Sequence, residues 1–219
     1  METHRLRMLL AILILLVGFG KVGLSAQETV DWRSWTSAVV NYRITKSLLV
    51  RTKLEYRLKD DISKSDRWSL NAGLNYNILP FLEIKGAYEF HHRKLGDDLW
   101  KFRHRYYLGA QASWKFCDFK LSWRERFQQT IQDGDVESML RSRIKLDYGI
   151  PGTCLQPHFS IETFQCLNDG TFPKVCLIRY RPGVKIGFSK RYALIVFYCR
   201  QYEKLRKSNI AGMEMDFNF

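Results

Sequence analysis

The stretch LLVRTKLEYRL, residues 48–58, divides by parity into two unlike rows. Leu48, Val50, Thr52, Leu54, Tyr56 and Leu58 make one row. Leu49, Arg51, Lys53, Glu55 and Arg57 make the other. Alternate residues of a β-strand point to opposite faces, so one face is apolar and the other charged. A helical period of 3.6 would scatter both sets around an axis. The next stretch, RWSLNAGLNYNI (67–78), repeats the split. Trp68, Leu70, Ala72, Leu74, Tyr76 and Ile78 oppose Arg67, Ser69, Asn71, Gly73, Asn75 and Asn77.

The same alternation runs through most of the chain and predicts eleven strands: 32–44, 48–58, 67–79, 82–93, 101–116, 118–130, 137–149, 156–165, 174–188, 191–203 and 209–219. Only ALIVFYCRQY (193–202), apolar on both faces at first, leaves its parity open. Tight turns fall at 44–47, 78–81, 116–119, 150–154 and 188–191. Longer polar loops are expected at KDDISKSD, KLGDDL, IQDGDVE, LNDGTF and EKLRKS. A run of such hairpins suits an up-and-down barrel. Bacterial single-chain barrels have even strand numbers. Two solutions follow: ten strands closing over 48–219 with 32–44 as an extra, or twelve. The fold class expected is therefore all-β, an antiparallel up-and-down transmembrane β-barrel of 10–12 strands, after an N-terminal signal peptide.

The signal peptide is read from METHRLRMLLAILILLVGFGKVGLSAQ. Arg5 and Arg7 precede an apolar run from Met8 to Phe19, and Ser25-Ala26 supplies small residues for cleavage. The run is shorter than the roughly 20 residues that a membrane helix needs. Residues 1–26 are assigned to the signal peptide and 27–219 to the barrel. The 219-residue chain has 35 Lys+Arg against 22 Asp+Glu, net +13. Loss of Arg5, Arg7, Lys21 and Glu2 with the leader leaves +11. A mean hydropathy of −0.29 excludes a helical membrane bundle but not a barrel, whose alternating strands average out. Export and the even spread of basic residues over strands argue against nucleic acid as a partner.

A soluble barrel also alternates, with its apolar face inward. Here the polar rows carry long charged side chains, and aromatics cluster at strand ends. Phe81, Trp114, Phe116, Phe119, Phe188 and Phe219 lie by the short turns. Tyr56, Trp68, Phe90 and Phe127 lie toward the longer loops. Two aromatic girdles around an apolar band mark a membrane barrel. The chain ends IAGMEMDFNF, with Ala211, Met213, Met215, Phe217 and Phe219 on one face. This resembles the C-terminal signal of Gram-negative outer-membrane proteins. The resemblance implies recognition of these residues by the barrel-assembly machinery, an outer-membrane location, and contact with outer-membrane lipids and lipopolysaccharide.

The opening WRSWTSAVVNYRITKSLLVRTKLEYRLKDD (32–61) and the Arg-rich strand ends EFHHR, WRERFQ and RYRPG carry a second resemblance. Together they resemble an uncharacterised outer-membrane β-barrel family known as domain of unknown function 2490. That resemblance brings no catalytic motif and no cofactor.

By parity, Arg57, Arg67, Arg93, Arg103, Arg105, Arg124, Arg126, Arg141, Arg143, Arg179 and Arg181 face the lumen and form a basic belt toward the extracellular mouth. Lumenal acids, among them Glu55, Glu89, Glu162, Glu214 and Asp216, are fewer. Rings of basic groups attract anions in pores. A narrow interior filled with Arg–Glu pairs would instead be structural. The expected function is thus an outer-membrane barrel with a basic lumen, either a narrow anion-preferring pore or a structural barrel. A lipid-modifying barrel enzyme and a secreted ligand-binding barrel are the alternatives.

The one cluster suggestive of catalysis is HFSIE, with His158, Ser160 and Glu162 on one face. Their spacing of about 7 Å fails a direct nucleophile–base hydrogen bond, so no catalytic residue is assigned. His91, His92 and His104 could meet across a loop, but neighbouring histidines alone do not assign a metal. Cys166 and Cys176, symmetric about NDGTF, could bridge neighbouring strands. The reading preferred is that the five cysteines are ordinary small apolar residues. Glu125 falls on the lipid parity, which requires a bulge or a position high enough to reach headgroups.

Overall fold

The computed structural model describes residues 30–96, 99–168, 174–203 and 206–219. The expected signal peptide, residues 1–26, lies outside the described residues. Eleven strands follow in order: β1 (Asp31–Arg43), β2 (Leu48–Lys59), β3 (Lys64–Leu79), β4 (Leu82–Leu95), β5 (Leu99–Phe116), β6 (Phe119–Gln132), β7 (Asp135–Tyr148), β8 (Leu155–Cys166), β9 (Lys174–Gly187), β10 (Tyr192–Glu203) and β11 (Arg206–Asn218). Each pairs antiparallel with the next, and β1 pairs with β11 to close the barrel.

Closure is where the structure departs from an even, wholly antiparallel barrel. With eleven strands the first and last run the same way, so β1 and β11 form a parallel ladder. The segment 32–44 is therefore not an extra beside a ten-stranded barrel, and no twelfth strand is needed. The register runs from Asp31↔Ser208 to Asn41↔Asn218. It ends in paired bonds: Phe219 N donates to Asn41 O at 2.9 Å and Arg43 N to Phe219 O at 2.9 Å. A membrane strand must find all its backbone partners inside the protein, and closure in either sense meets that need.

Two of the expected longer loops, KDDISKSD and IQDGDVE, shrink because the strands run on into them, while KLGDDL, LNDGTF and EKLRKS lie partly outside the described residues. β5 has 18 residues and β3 has 16. IQDGDVE becomes a two-residue turn, Asp133-Gly134, with φ of 52° and 89°. Positive φ at both positions is the type I′ geometry that Asp-Gly favours. KDDISKSD reduces to a turn in which Asp60, Asp61 and Ile62 all have positive φ. That turn folds against the start of β1: Trp32 N donates to Asp61 Oδ1 at 3.1 Å and Ile62 N to Trp32 O at 3.1 Å. Cys166 and Cys176 form a disulfide across the β8–β9 hairpin, with Cα atoms 6.0 Å apart. This corrects the preference for unpaired cysteines. Cys117 and Cys154 are free and exposed, while Cys199 is free and buried.

The outward face is the apolar one. Leu54, Leu74, Leu108, Trp114, Phe116, Trp123 and Ile144 are all exposed on the outside. Glu55, Asn71, Arg124, Gln128, Glu162 and Glu214 are buried inside. A soluble barrel has the reverse arrangement. At the end with the tight turns, Phe116, Phe119 and Tyr148 stack in series, with ring centroids 5.8 and 4.7 Å apart.

The bulge expected at Glu125 is absent. The ladders on both sides pass it without a bulge, from Ala110 through Glu125 to Ser142, near the middle of β6. Its carboxylate accepts from Trp123 Nε1 at 2.7 Å and Ser142 Oγ at 2.6 Å. A charge on the outer wall at that depth is costly, less so for acids than for bases. Glu125→Gln keeps an acceptor for both donors and removes the charge. It should raise stability by about 1 kcal/mol, read from urea unfolding in lipid vesicles. A fall would mean that the carboxylate's charge has a partner beyond these two donors.

Candidate functional site

The inward rows of the strands enclose a cavity of about 780 Å³. Alternation on each strand delivers its charged side chains there, and the register decides which of them meet. Glu162 on β8 stands directly opposite Arg143 on β7 and Arg179 on β9. Its carboxylate lies 2.5 Å from Arg124 Nη2, 3.0 Å from Arg141 Nη2 and 3.8 Å from Arg179 Nη1. Four neighbouring strands thus meet at one carboxylate. Around the wall, Glu55 binds Arg57 at 2.5 Å and Lys53 at 3.0 Å. Glu214 binds Lys53 at 2.8 Å and Arg51 at 3.6 Å. Glu89 lies 3.6 Å from Arg105.

Several guanidiniums are also held by aromatic rings that face inward. Arg57 lies over Trp35 at 3.7 Å, Arg126 over Tyr107 at 3.9 Å, and Arg181 over Phe197 at 3.4 Å. Arg141 and Arg179 lie over Phe164 at 4.3 and 4.5 Å. A cation over an aromatic face gains about 0.5–2 kcal/mol, more when desolvated. These contacts fix guanidinium positions without consuming their charge.

Trp35, Phe197, Cys199 and Ile210 pack together as a buried cluster on the β1, β10 and β11 wall. The parity left open over 193–202 is settled by it: Ala193, Phe197, Cys199 and Gln201 are buried, while Val196 and Tyr202 are exposed. Phe197 has glycines as both register partners, Gly183 and Gly212, and its inward ring lies over Gly212. A Cβ on Gly212 would lie 2.0 Å from Phe197 Cζ. Sequence reading missed these inward aromatics. For Phe197 the signal was present in Gly212, on the polar row of the flanking strand.

Of the eleven arginines read from parity, Arg57, Arg67, Arg93, Arg105, Arg124, Arg126, Arg141, Arg143, Arg179 and Arg181 line the cavity. Arg103 does not; its Nη2 lies 3.6 Å from Glu137. The belt is slanted rather than gathered at one mouth. Arg57 and Arg93 sit near strand ends, whereas Arg124, Arg143 and Arg181 lie toward the middle. Arg67, Arg126, Arg143 and Arg181 have no carboxylate within 4.0 Å among the described residues.

His158, Ser160 and Glu162 are all buried inside. Glu162 is committed to arginines, and no hydrogen bond joins His158 to Ser160 among the described residues. The histidines near the β4–β5 hairpin are divided by the barrel wall. His91 is buried inside, with Nε2 3.3 Å from Glu89 Oε1. His92 is outside, stacked on Trp100 and Phe102 at 4.7 and 4.5 Å. His104 is also outside, 2.7 Å from the Tyr88 hydroxyl. Among the described residues no group of three or more His, Cys, Asp or Glu could hold a metal ion. Ala211 and Met213 are exposed on the outer face of β11, with Met215 and Phe217 half-buried beside them, and Phe219 is exposed just past the strand's end.

Comparison with known proteins supports the architecture. The NanC porin is similar with a TM-score of 0.57 and 12% identity, over 87% of this chain and all of that one. LpxR from Salmonella typhimurium is similar with a TM-score of 0.52 and 9% identity, over 83% of this chain and 87% of that one. The KdgM porin is similar with a TM-score of 0.50 and 11% identity, over 78% and 90%. At such identities the likeness is one of fold, that of outer-membrane β-barrels. A search among curated proteins found no sequence match. The model of a family described as "Protein of unknown function (DUF2490)" matches residues 32–211, and the chain belongs to that family.

Proposed function

We propose that the protein is an outer-membrane channel whose arginine-rich lumen prefers anions. The observation that carries this reading is the composition of the cavity wall. Ten of the eleven arginines read from parity face a space of about 780 Å³, and four of the ten have no carboxylate partner among the described residues. A fixed excess of basic groups in a narrow, low-dielectric passage concentrates anions and repels cations. The apolar outer wall and the porin folds among its structural neighbours support placement in the outer membrane. In that orientation the short turns and Phe219 face the periplasm, and residues 211–219 serve as the signal to the barrel-assembly machinery. Lipids and lipopolysaccharide surround the outer wall.

The test is reversal potential in a planar bilayer under a KCl gradient. The refolded protein should conduct with chloride more permeant than potassium, and the preference should weaken as salt screens the wall. A cation preference, or no conductance from protein that shows heat-modifiable migration on a gel, would overturn the reading in favour of a structural barrel.

A further inference from the structure

The lumenal charge is unevenly placed. On the β6–β9 wall, six guanidiniums share the cavity with two carboxylates, Glu162 and Glu137, and Glu137 is engaged by Arg103 of β5. The wall formed by β2 and β11 is close to balanced, since Glu55 and Glu214 each hold two cations. Glu162 takes Arg124, Arg141 and Arg179. The other three, Arg126, Arg143 and Arg181, are left without an anion among the described residues.

Register places these three in one neighbourhood. Arg126 is paired with Arg141, two residues along β7 from Arg143. Arg143 is paired with Glu162, two residues along β8 from Ser160, and Ser160 is paired with Arg181. Arg126 and Arg143 are diagonal neighbours, roughly 7–8 Å apart; Arg143 and Arg181 lie two strands apart with Ser160 between them, and all three side chains line the same cavity. Arg126 and Arg181 are pinned over Tyr107 and Phe197. The Nε atoms of Arg143 and Arg181 are buried and have no hydrogen-bond partner. Three like charges held together in a cavity, with donors unused, are a site in want of a counter-ion.

We propose that Arg126, Arg143 and Arg181 form a binding site for a compact oxyanion carrying two or more negative charges, of the phosphate or phosphate-ester class. Three guanidiniums are not neutralised by one monovalent ion. Their planar forks match the tetrahedral oxygens of phosphate by two-point hydrogen bonding, which chloride cannot make. The Ser160 hydroxyl lines the same cavity and adds a further donor. The inference rests on the anion-channel reading for access of the ion from solution, but binding does not require conductance.

The experiment measures thermal unfolding of the full refolded protein in detergent, by loss of heat-modifiable migration, at constant ionic strength. Inorganic phosphate is titrated against sodium chloride, with sodium acetate as a second arm. Phosphate should raise the midpoint saturably, reaching half its effect in the millimolar range, while acetate does little. Arg143→Gln should abolish the phosphate shift, and Arg181→Gln should weaken half-saturation at least tenfold. Arg143→Lys, which keeps the charge but not the fork, should bind more weakly than the native chain and guards against a mere folding defect. Equal shifts with acetate and phosphate would overturn the site, as would an unchanged phosphate shift in a folded Arg143→Gln variant. A phosphate shift in a protein that passes no current would sink the channel and leave the site standing.

Discussion

Glu162→Gln is expected to destabilise the barrel by about 3 kcal/mol, the lower range for removing one partner of a buried ion-pair network. The carboxylate joins Arg124, Arg141 and Arg179, which come from three strands on either side of β8. Without its charge, three guanidiniums repel one another at close range, and Gln supplies only one neutral acceptor. Water in the cavity relieves part of this, which keeps the effect at the lower end. The same variant should shift the reversal potential further toward chloride, because one fixed negative charge disappears from the wall. Urea unfolding in vesicles and bilayer recording check the two effects separately. Unchanged stability would mean that the network is solvated and contributes nothing to holding β6, β7 and β9 together.

Reduction of the Cys166–Cys176 disulfide is the second large expected effect. The bridge closes the end of the β8–β9 hairpin, ten residues apart in sequence, and both cysteines border the lumen. Closing a loop of this length restricts the unfolded chain by an amount worth about 3 kcal/mol in the chain-entropy account. A Cys166→Ala/Cys176→Ala double variant should lose that stability and become insensitive to dithiothreitol. The native protein should match it only after reduction. Cys117, Cys154 and Cys199 are unpaired and serve as an internal control for thiol labelling. Equal stability of reduced and oxidised native protein would show that the ladder alone, from Met139↔Cys166 onward, holds this end.

Much of the architecture was legible because its cause is local. A strand with lipid on one side and a charged interior on the other must alternate, and Leu48–Lys59 or Lys64–Leu79 show this without reference to any neighbour. The inward row of arginines follows from the same parity. The strand ends were less legible. Polar residues such as those of KDDISKSD and IQDGDVE read as loops, yet a barrel extends above the membrane where polar strand residues are at home.

What the sequence by itself determined was the period, and with it the strand identities, the outward apolar face and the pool of inward cations. The tertiary structure alone decided how those elements meet. The parallel pairing of β1 with β11 joins residues at opposite ends of the chain, and no local pattern reports the sense of a closing ladder. The inward turn of Phe197 depends on Gly212 of the neighbouring strand leaving room for its ring. The partnership of Glu162 with three arginines, and the lack of one for Arg126, Arg143 and Arg181 among the described residues, is set by register. Each strand supplies alternation in one dimension. Which charge faces which is a property of shear between strands, and a shift of two residues would preserve every pattern in the sequence while pairing different ions.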